Sequence, residues 1–425
     1  MTNYLENLFT DEELKILRDQ FYYVDTDYKG RKRVFFDNAG GALRLKKCEE
    51  DFAKIDALPD CAEHANQAAL ELFEVENKGR ADARLLFNAR HGVIATGYTA
   101  TQLMMYVANV ISANAVGTNV VTTALEHPSA FDAMAINAEK YHRELRVAPA
   151  NPVTGGIDAE TVLSLVDKDT AVLSVMSASN ISGHIMDIGT IAREARKINP
   201  DIYIISDAVQ HAPHGALDPE SCGVDAMNMA PYKFFGIRGF SLMYLSDRVK
   251  DLPHDKAICL KSDQWESGSP ASAHFVAISA IVDYVASIGK WVSPDETDRR
   301  KLFELGMARL AAHEQALLYI LLEGTDKVEG LRHMKGVTVK MDDPDLTKRD
   351  FITGIEFDNM PADKAREELE KYGFVTFERL ASSPYSDRML KQFDSEGVVR
   401  LSPLHINTPA EMEQFLLAAK KVASL

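Results

Sequence analysis

The chain is poor in cysteine. Its 425 residues include four, Cys48, Cys61, Cys222 and Cys259, and no two are spaced as C-x-x-C. That spacing excludes a disulfide scaffold and a thiolate zinc site. Positive charge is also in deficit: 47 basic against 63 acidic side chains leave a formal net charge of −16. Such a surface repels phosphate backbones and argues against nucleic-acid binding through a basic field. Apolar runs such as residues 316–322 fall far short of the roughly 20 residues a membrane span needs. The acidic start, Met1 to Leu17, lacks the basic-then-apolar order of a secretory signal. These absences together predict a reduced, cytoplasmic protein with no membrane partner. Neither G-x-G-x-x-G nor G-x-x-x-x-G-K-[ST] occurs, so dinucleotide and P-loop sites have no motif.

What is present is an ordinary globular composition, 46% hydrophobic and 26% charged. At this length it predicts two or three domains with at least one large core. No repeat or low-complexity segment appears. Apolar β-rich runs at 92–95, 119–123, 171–175, 203–206 and 239–245 alternate with helical patterns at 100–111, 129–140, 158–165 and 188–198. Near-continuous burial of such strands predicts an α/β fold with a mostly parallel sheet. The last third changes character. A long helix covers 296–323, a strand 351–357, and a helix 362–372 starts after Pro361 and stops at Gly373. Strands at 375–377 and 397–401 and a helix at 409–422 complete a smaller α+β domain, joined near 285–300. The acidic residues 342–345 read as a solvated loop within it.

Three segments carry chemistry. Thr96-Gly97-Tyr98-Thr99-Ala100-Thr101 follows a strand and opens an apolar helix, where backbone amides and hydroxyls make a phosphate cradle. Alone, such a loop more often just caps its helix. Asp207 ends the strand at 203–206, where α/β sheets place ligands; alone it reads best as a helix N-cap. Lys233 follows 26 residues later, in Ala230-Pro231-Tyr232-Lys233-Phe234-Phe235-Gly236. A lysine among apolar neighbours tends to lose its proton, which suits Schiff-base chemistry, against the plainer reading of a snorkelling strand-end lysine.

In that order, cradle, acid and lysine resemble the class V aminotransferase family of fold-type-I pyridoxal-phosphate enzymes, nearest its cysteine-desulfurase-like branch. Further pieces fall in family order: Phe36-Asp37-Asn38-Ala39-Gly40-Gly41, Glu126-His127-Pro128-Ser129, Ser177 to Gly183, Glu266-Ser267-Gly268-Ser269-Pro270, and Val399-Arg400-Leu401-Ser402 with Asn407-Thr408. The resemblance spans about residues 34 to 420. It implies a large cofactor-binding domain over 31–290 with a seven-stranded type of sheet, a small domain over 291–425, and an N-terminal segment, 1–30, packed on the small domain.

It also implies roles. Lys233 would hold pyridoxal 5'-phosphate as a Schiff base and shuttle the substrate Cα proton. Asp207 would pair with the pyridine nitrogen, His127 would stack on the ring, and Asn180 and Gln210 would bond the ring hydroxyl. Gly97, Tyr98 and Thr99 would hold the phosphate, with Gly268 and Ser269 reaching it from the partner subunit of a homodimer. Asn38, Arg379 and Arg400 would contact the amino-acid substrate, Arg400 as a bidentate carboxylate clamp.

Two departures stand out. The family often has Ser-x-His before the lysine; here Ala230, Pro231 and Tyr232 stand there, so the Tyr232 hydroxyl is the candidate replacement phosphate ligand. Desulfurases carry a cysteine between the two small-domain arginines, but Leu380-Ala-Ser-Ser-Pro-Tyr-Ser386 has none. The reading is an enzyme acting on an α-amino acid, leaning to a C–S lyase without a persulfide cysteine. Transamination to a keto acid and a non-catalytic scaffold remain alternatives. His211 and His214, an i, i+3 pair, lack a third ligand; no metal is predicted, and roles behind the cofactor contacts or on a helix surface are favoured.

Overall fold

The computed structural model describes residues 4–266 and 268–425. Ser267 of the Glu266–Pro270 motif and the first three residues of the N-terminal segment lie outside the described residues.

Seven strands form one sheet in the order Val93–Gly97, Ser241–Leu245, Ala226–Met229, Tyr203–Asp207, Thr170–Ser174, Asn119–Thr123, Glu144–Ala148. Ser241–Leu245 is antiparallel to both neighbours, and the other pairings are parallel. The fold is therefore α/β with a mostly parallel sheet. Asn119–Thr123, Thr170–Ser174 and Ser241–Leu245 are buried at every position, because helices cover both faces. Two strands escape the apolar pattern. Glu144–Ala148 is a half-exposed edge strand with charged residues, and Ala226–Met229 is built from Ala, Met and Asn, poor strand formers held by pairing on both sides.

The helix Ser272–Val292 corrects the membrane-run expectation. Over 21 residues it is long and apolar enough to cross a membrane, yet 67% of its apolar window is buried inside the protein. It packs against Lys46–Asp56, Gln67–Leu86 and Arg299–Glu323, and this close packing of four helices explains an apolar run that faces protein. Gly289 and Gly306 permit the contact: a Cβ on Gly289 would lie 1.9 Å from Leu302 O, and one on Gly306 2.0 Å from Val285 O.

A second sheet, antiparallel, runs Val337–Lys340, Thr353–Phe357, Gly397–Leu401, Phe377–Leu380. The stretch 375–377, read as one strand, is two: Phe374–Val375 pairs in parallel with Val34–Phe35, and Phe377–Leu380 joins the second sheet. Leu317, Leu321, Ile355, Val399 and Phe415 form its core. The N-terminal segment divides between cores: Leu14, Leu17 and Phe21 enter the larger, while Tyr4 and Leu8 pack on the smaller. The acidic stretch 342–345 is not a solvated loop. Asp342 accepts from Arg332 Nε and Arg349 Nη1, each at 2.6 Å, and buried Asp343 lies 3.2 Å from His184 Nδ1.

Candidate active site

Parallel strands that end together bring distant residues to one edge of the sheet. Tyr203–Asp207 delivers Asp207 at its last position. Beside it, Ala226–Met229 ends and the chain turns through Pro231–Lys233. On the other side, Thr170–Ser174 leads to Asn180 and Asn119–Thr123 leads to His127. Phe235, two residues beyond the lysine, has φ 62°, a conformation a bulky side chain adopts only when its surroundings enforce it. Phe21, Tyr284 and His405 pack edge-on against its ring and fix the lysine turn.

A cavity opens at this edge. Its outer part, about 410 Å³, is lined by Asp37, Gly40, His127, Asn180, Tyr232, Lys233, Phe377, Glu378, Arg379, Tyr385 and Arg400. An inner recess of about 60 Å³ is lined by Ala100, Thr101, Met176, Asp207 and Gln210, and shares His127, Asn180, Tyr232 and Lys233 with the outer part. Most of the sequence-predicted residues thus meet: Lys233, Asp207, His127, Asn180, Gln210, Tyr232, Arg379 and Arg400 line one continuous space.

Its electrostatics follow from burial. Desolvation, then the charge of Arg400, pushes the Lys233 ammonium down to about 8, while Asp207 works in the opposite direction. Burial raises the Asp207 carboxyl, although the Val209 amide, donating to Oδ1 at 3.0 Å, and Lys233 both favour its ionised form. His127 falls to about 4 through burial and the nearby cations Lys233, Arg379 and Arg388. Its Nδ1 accepts from the Ser129 amide at 3.2 Å, which assigns the proton of a neutral ring to Nε2. Arg379 is lowered to about 10, first by burial and then by Arg400. Arg400 Nη2 donates to Asp37 Oδ1 at 2.7 Å, and Nη1 to the main-chain oxygen of Asn180 at 3.2 Å.

Six predicted residues lie elsewhere. Asn38 is turned into the backbone: Nδ2 donates to Ser402 O at 3.0 Å, and Oδ1 accepts from the Leu43 amide at 3.1 Å. Its neighbour Asp37 faces the cavity instead, since alternate residues of an extended segment point to opposite sides. Gly97 and Tyr98 line a separate cavity of about 310 Å³ together with Gly268 and Ser269 of the same chain. Thr99 caps its helix, its Oγ1 accepting from the Gln102 amide at 3.0 Å. Ala100 and Thr101, the first helical residues, line the inner recess, and first-turn amides have no partner within their own helix. His211 and His214 stay out of the cavity. His214 is buried, with Nδ1 2.7 Å from Glu314 Oε2, so it does not lie on a helix surface; His211 Nδ1 lies 3.1 Å from Asp350 Oδ1.

A model of aminotransferase class-V proteins matches residues 34–415. The chain belongs to the aminotransferase class-V family. Among its curated relatives, a probable cysteine desulfurase of Borreliella burgdorferi is 21% identical over 97% of this chain and 96% of the relative. One of Xylella fastidiosa is 23% identical over 76% of this chain and 77% of its own. The cysteine desulfurase of Thermococcus onnurineus, solved in its apo form, superposes with a TM-score of 0.81 at 16% identity, covering 98% of this chain and 99% of that one. The cysteine desulfurase CsdA of Escherichia coli gives 0.77 at 18% identity over 98% and 99%. The fold is that of the fold-type-I enzymes, and this class-V protein is a pyridoxal-phosphate-dependent enzyme.

The cavity of this class-V enzyme fits such a cofactor on its own terms. Asn180 Oδ1 and Gln210 Oε1 are buried and have no hydrogen-bond partner, an arrangement that is costly unless a bound group supplies one. Both residues line the recess that holds Asp207 and the first-turn amides.

Proposed function

We propose that this class-V enzyme is a C–S lyase that converts a cysteine-type amino acid and water into pyruvate, ammonia and a released sulfur product. The observation that carries it is one cavity holding Lys233, Asp207, His127, Arg379 and Arg400, closed on one side by a 380–386 loop without a cysteine. The cysteine-desulfurase relatives support C–S cleavage as its chemistry.

Asp207 would hold the cofactor's ring nitrogen, and the cation gained there offsets the burial that raises its carboxyl. His127, neutral and anchored through Ser129, would lie on the ring face. Asn180 and Gln210 would meet the ring hydroxyl. Ala100, Thr101 and the Tyr232 hydroxyl would meet the phosphate, with Gly268 and Ser269 contributed across a homodimer. Bound there, pyridoxal phosphate supplies the electron sink for the carbanion formed at Cα. Arg379, a buried guanidinium whose Nε has no partner, and Arg400 would receive the substrate carboxylate. That orientation puts Cα within reach of the Lys233 amine, whose pKa of about 8 suits it to take and return a proton near neutrality.

The 380–386 loop offers hydroxyls but no thiol, so sulfur leaves the site without residing on it. The division near residue 290, with the cofactor held before it and the carboxylate after it, belongs to the same reading. So does a reducing, cytoplasmic setting, which the four unpaired cysteines support. Pyruvate formed from cysteine without any keto-acid acceptor is the expected result. A strict requirement for a keto acid would instead make the enzyme a transaminase, and no reaction with any amino acid would leave only a scaffold.

A further inference from the structure

Glu126 precedes His127 in the turn between Asn119–Thr123 and Pro128–Lys140, and it is fully enclosed at 0% exposure. One carboxyl oxygen, Oε1, accepts from the Met176 amide at 2.7 Å and from Thr123 Oγ1 at 3.0 Å. The other, Oε2, is buried without a partner. Among the described residues no ion pair reaches this carboxyl. The Arg388 guanidinium acts on it through space, but its Nη1 and Nη2 donate to main-chain oxygens, those of Ala124 and of Glu126 itself, the latter at 2.7 Å, and it lies 3.8 Å over the Phe131 ring. The neighbouring imidazole, His127, is held uncharged. The neighbouring acid, Asp207, opposes a second negative charge. An ionised carboxylate in this place would be enclosed, half-satisfied and uncompensated, a combination that proteins avoid by neutralising the group.

We infer that Glu126 is held as a neutral carboxylic acid and serves as a positioning residue, tying the turn that carries His127 to the segment that leads to Asn180 while leaving the negative charge of the cavity floor to Asp207. Its place beside the cofactor groups rests on the proposed function; its protonation state does not. Burial first, and Asp207 second, push the carboxyl up to about 8, against the Met176 amide, the Thr123 hydroxyl and Arg388, which favour the ionised form. The proton therefore stays through neutrality and leaves in mild alkali. An ionised Glu126 would then add a second negative charge to the one at Asp207.

The test uses the full-length, cofactor-loaded protein and its Glu126→Gln variant, an amide that mimics the neutral acid. Infrared difference spectra at pH 7 should contain a protonated-carboxyl carbonyl band in the wild type that the variant lacks, and that fades as pH passes about 8. In the Asp207→Asn protein the same band should fade at lower pH, because the opposing charge is gone. Chemical denaturation supplies the second readout. The folded wild type keeps a proton that the unfolded chain has lost between pH 4.5 and about 8, so its denaturation midpoint should fall across that window relative to Glu126→Gln, and the difference should level off above it. Absence of the band, parallel denaturation profiles, or a glutamine variant that does not fold would each overturn the inference. None of these outcomes depends on turnover, so they stand apart from whether the enzyme is a lyase.

Discussion

Arg400 Nη2 and Asp37 Oδ1 are 2.7 Å apart, so one of the two guanidiniums proposed to receive the substrate carboxylate already has a counter-charge. Among the described residues, Arg379 has no carboxylate partner and donates to the main-chain oxygen of Tyr385 at 2.7 Å; Nε is unpartnered in both guanidiniums. The two guanidiniums thus share one facing carboxylate, Asp37, and one substrate carboxylate would balance the second. Arg400→Lys removes the planar fork that serves Asp37 and substrate together. The expected outcome is a KM at least about tenfold higher, equivalent to roughly 1.4 kcal/mol, with a smaller change in kcat. Steady-state kinetics with an unchanged KM would remove Arg400 from substrate binding.

Lys233→Ala should abolish covalent trapping of pyridoxal phosphate by borohydride, because the replaced amine is the one whose burial brings its pKa down to about 8, within reach of the neutral form. Peptide mapping after reduction reads this directly. Label on another lysine in the variant would place the attachment elsewhere.

Asp207→Asn should leave the fold intact and slow Cα–H cleavage by about a hundredfold, roughly 3 kcal/mol, because an amide cannot hold a pyridinium proton. Exchange of the substrate Cα proton with deuterated solvent isolates that step. An unchanged exchange rate contradicts the assignment.

The His214–Glu314 pair sets a pH window for stability. Burial works against the charge on each, but their 2.7 Å contact prevails, raising His214 above 6.5 and lowering Glu314 below 4.5. The histidine contribution is complete below pH 6.5 and is lost as pH rises through its folded value. The glutamate contribution is complete above pH 4.5 and is lost as pH falls through its own. Glu314→Gln should therefore destabilise most between pH 4.5 and 6.5, by about 3–5 kcal/mol as for a broken buried pair. Urea midpoints at pH 6 and pH 10 measure it; an equal loss at both would mean that the pair is not ionic.

Much of this was legible in the sequence because strand ends concentrate function. Asp207 is marked by an apolar strand that stops at it and Lys233 by its apolar flanks, and the five strands of the large sheet found from sequence agree with the structure to within two residues. What stayed hidden depends on direction or on partners. Asn38 and Asp37 are adjacent, and only the alternation that buries Phe36 and Asn38 shows that Asp37 is the one facing the cavity. Gly97 and Thr99 mark a helix start, but that Ala100 and Thr101 line the inner recess while Gly97 and Tyr98 line a separate cavity depends on the turn's orientation. Glu126 looked like motif context for His127; its lack of a counter-ion appears only when Arg388, 262 residues away, turns its donors to the backbone. Ala226–Met229 is a strand through its neighbours alone.

The central claim is that sulfur leaves this enzyme without residing on it. Intact mass of the purified, cofactor-loaded protein after turnover with cysteine tests it most directly, alongside assays for sulfide and pyruvate. The account predicts an unmodified chain, with sulfide and pyruvate formed in equal amounts. It predicts the same yields when Cys48, Cys61, Cys222 and Cys259 are all replaced by serine, since none of them lines the Lys233 cavity. A chain heavier by one sulfur on any of the four, with activity lost when that residue alone is replaced, would contradict it.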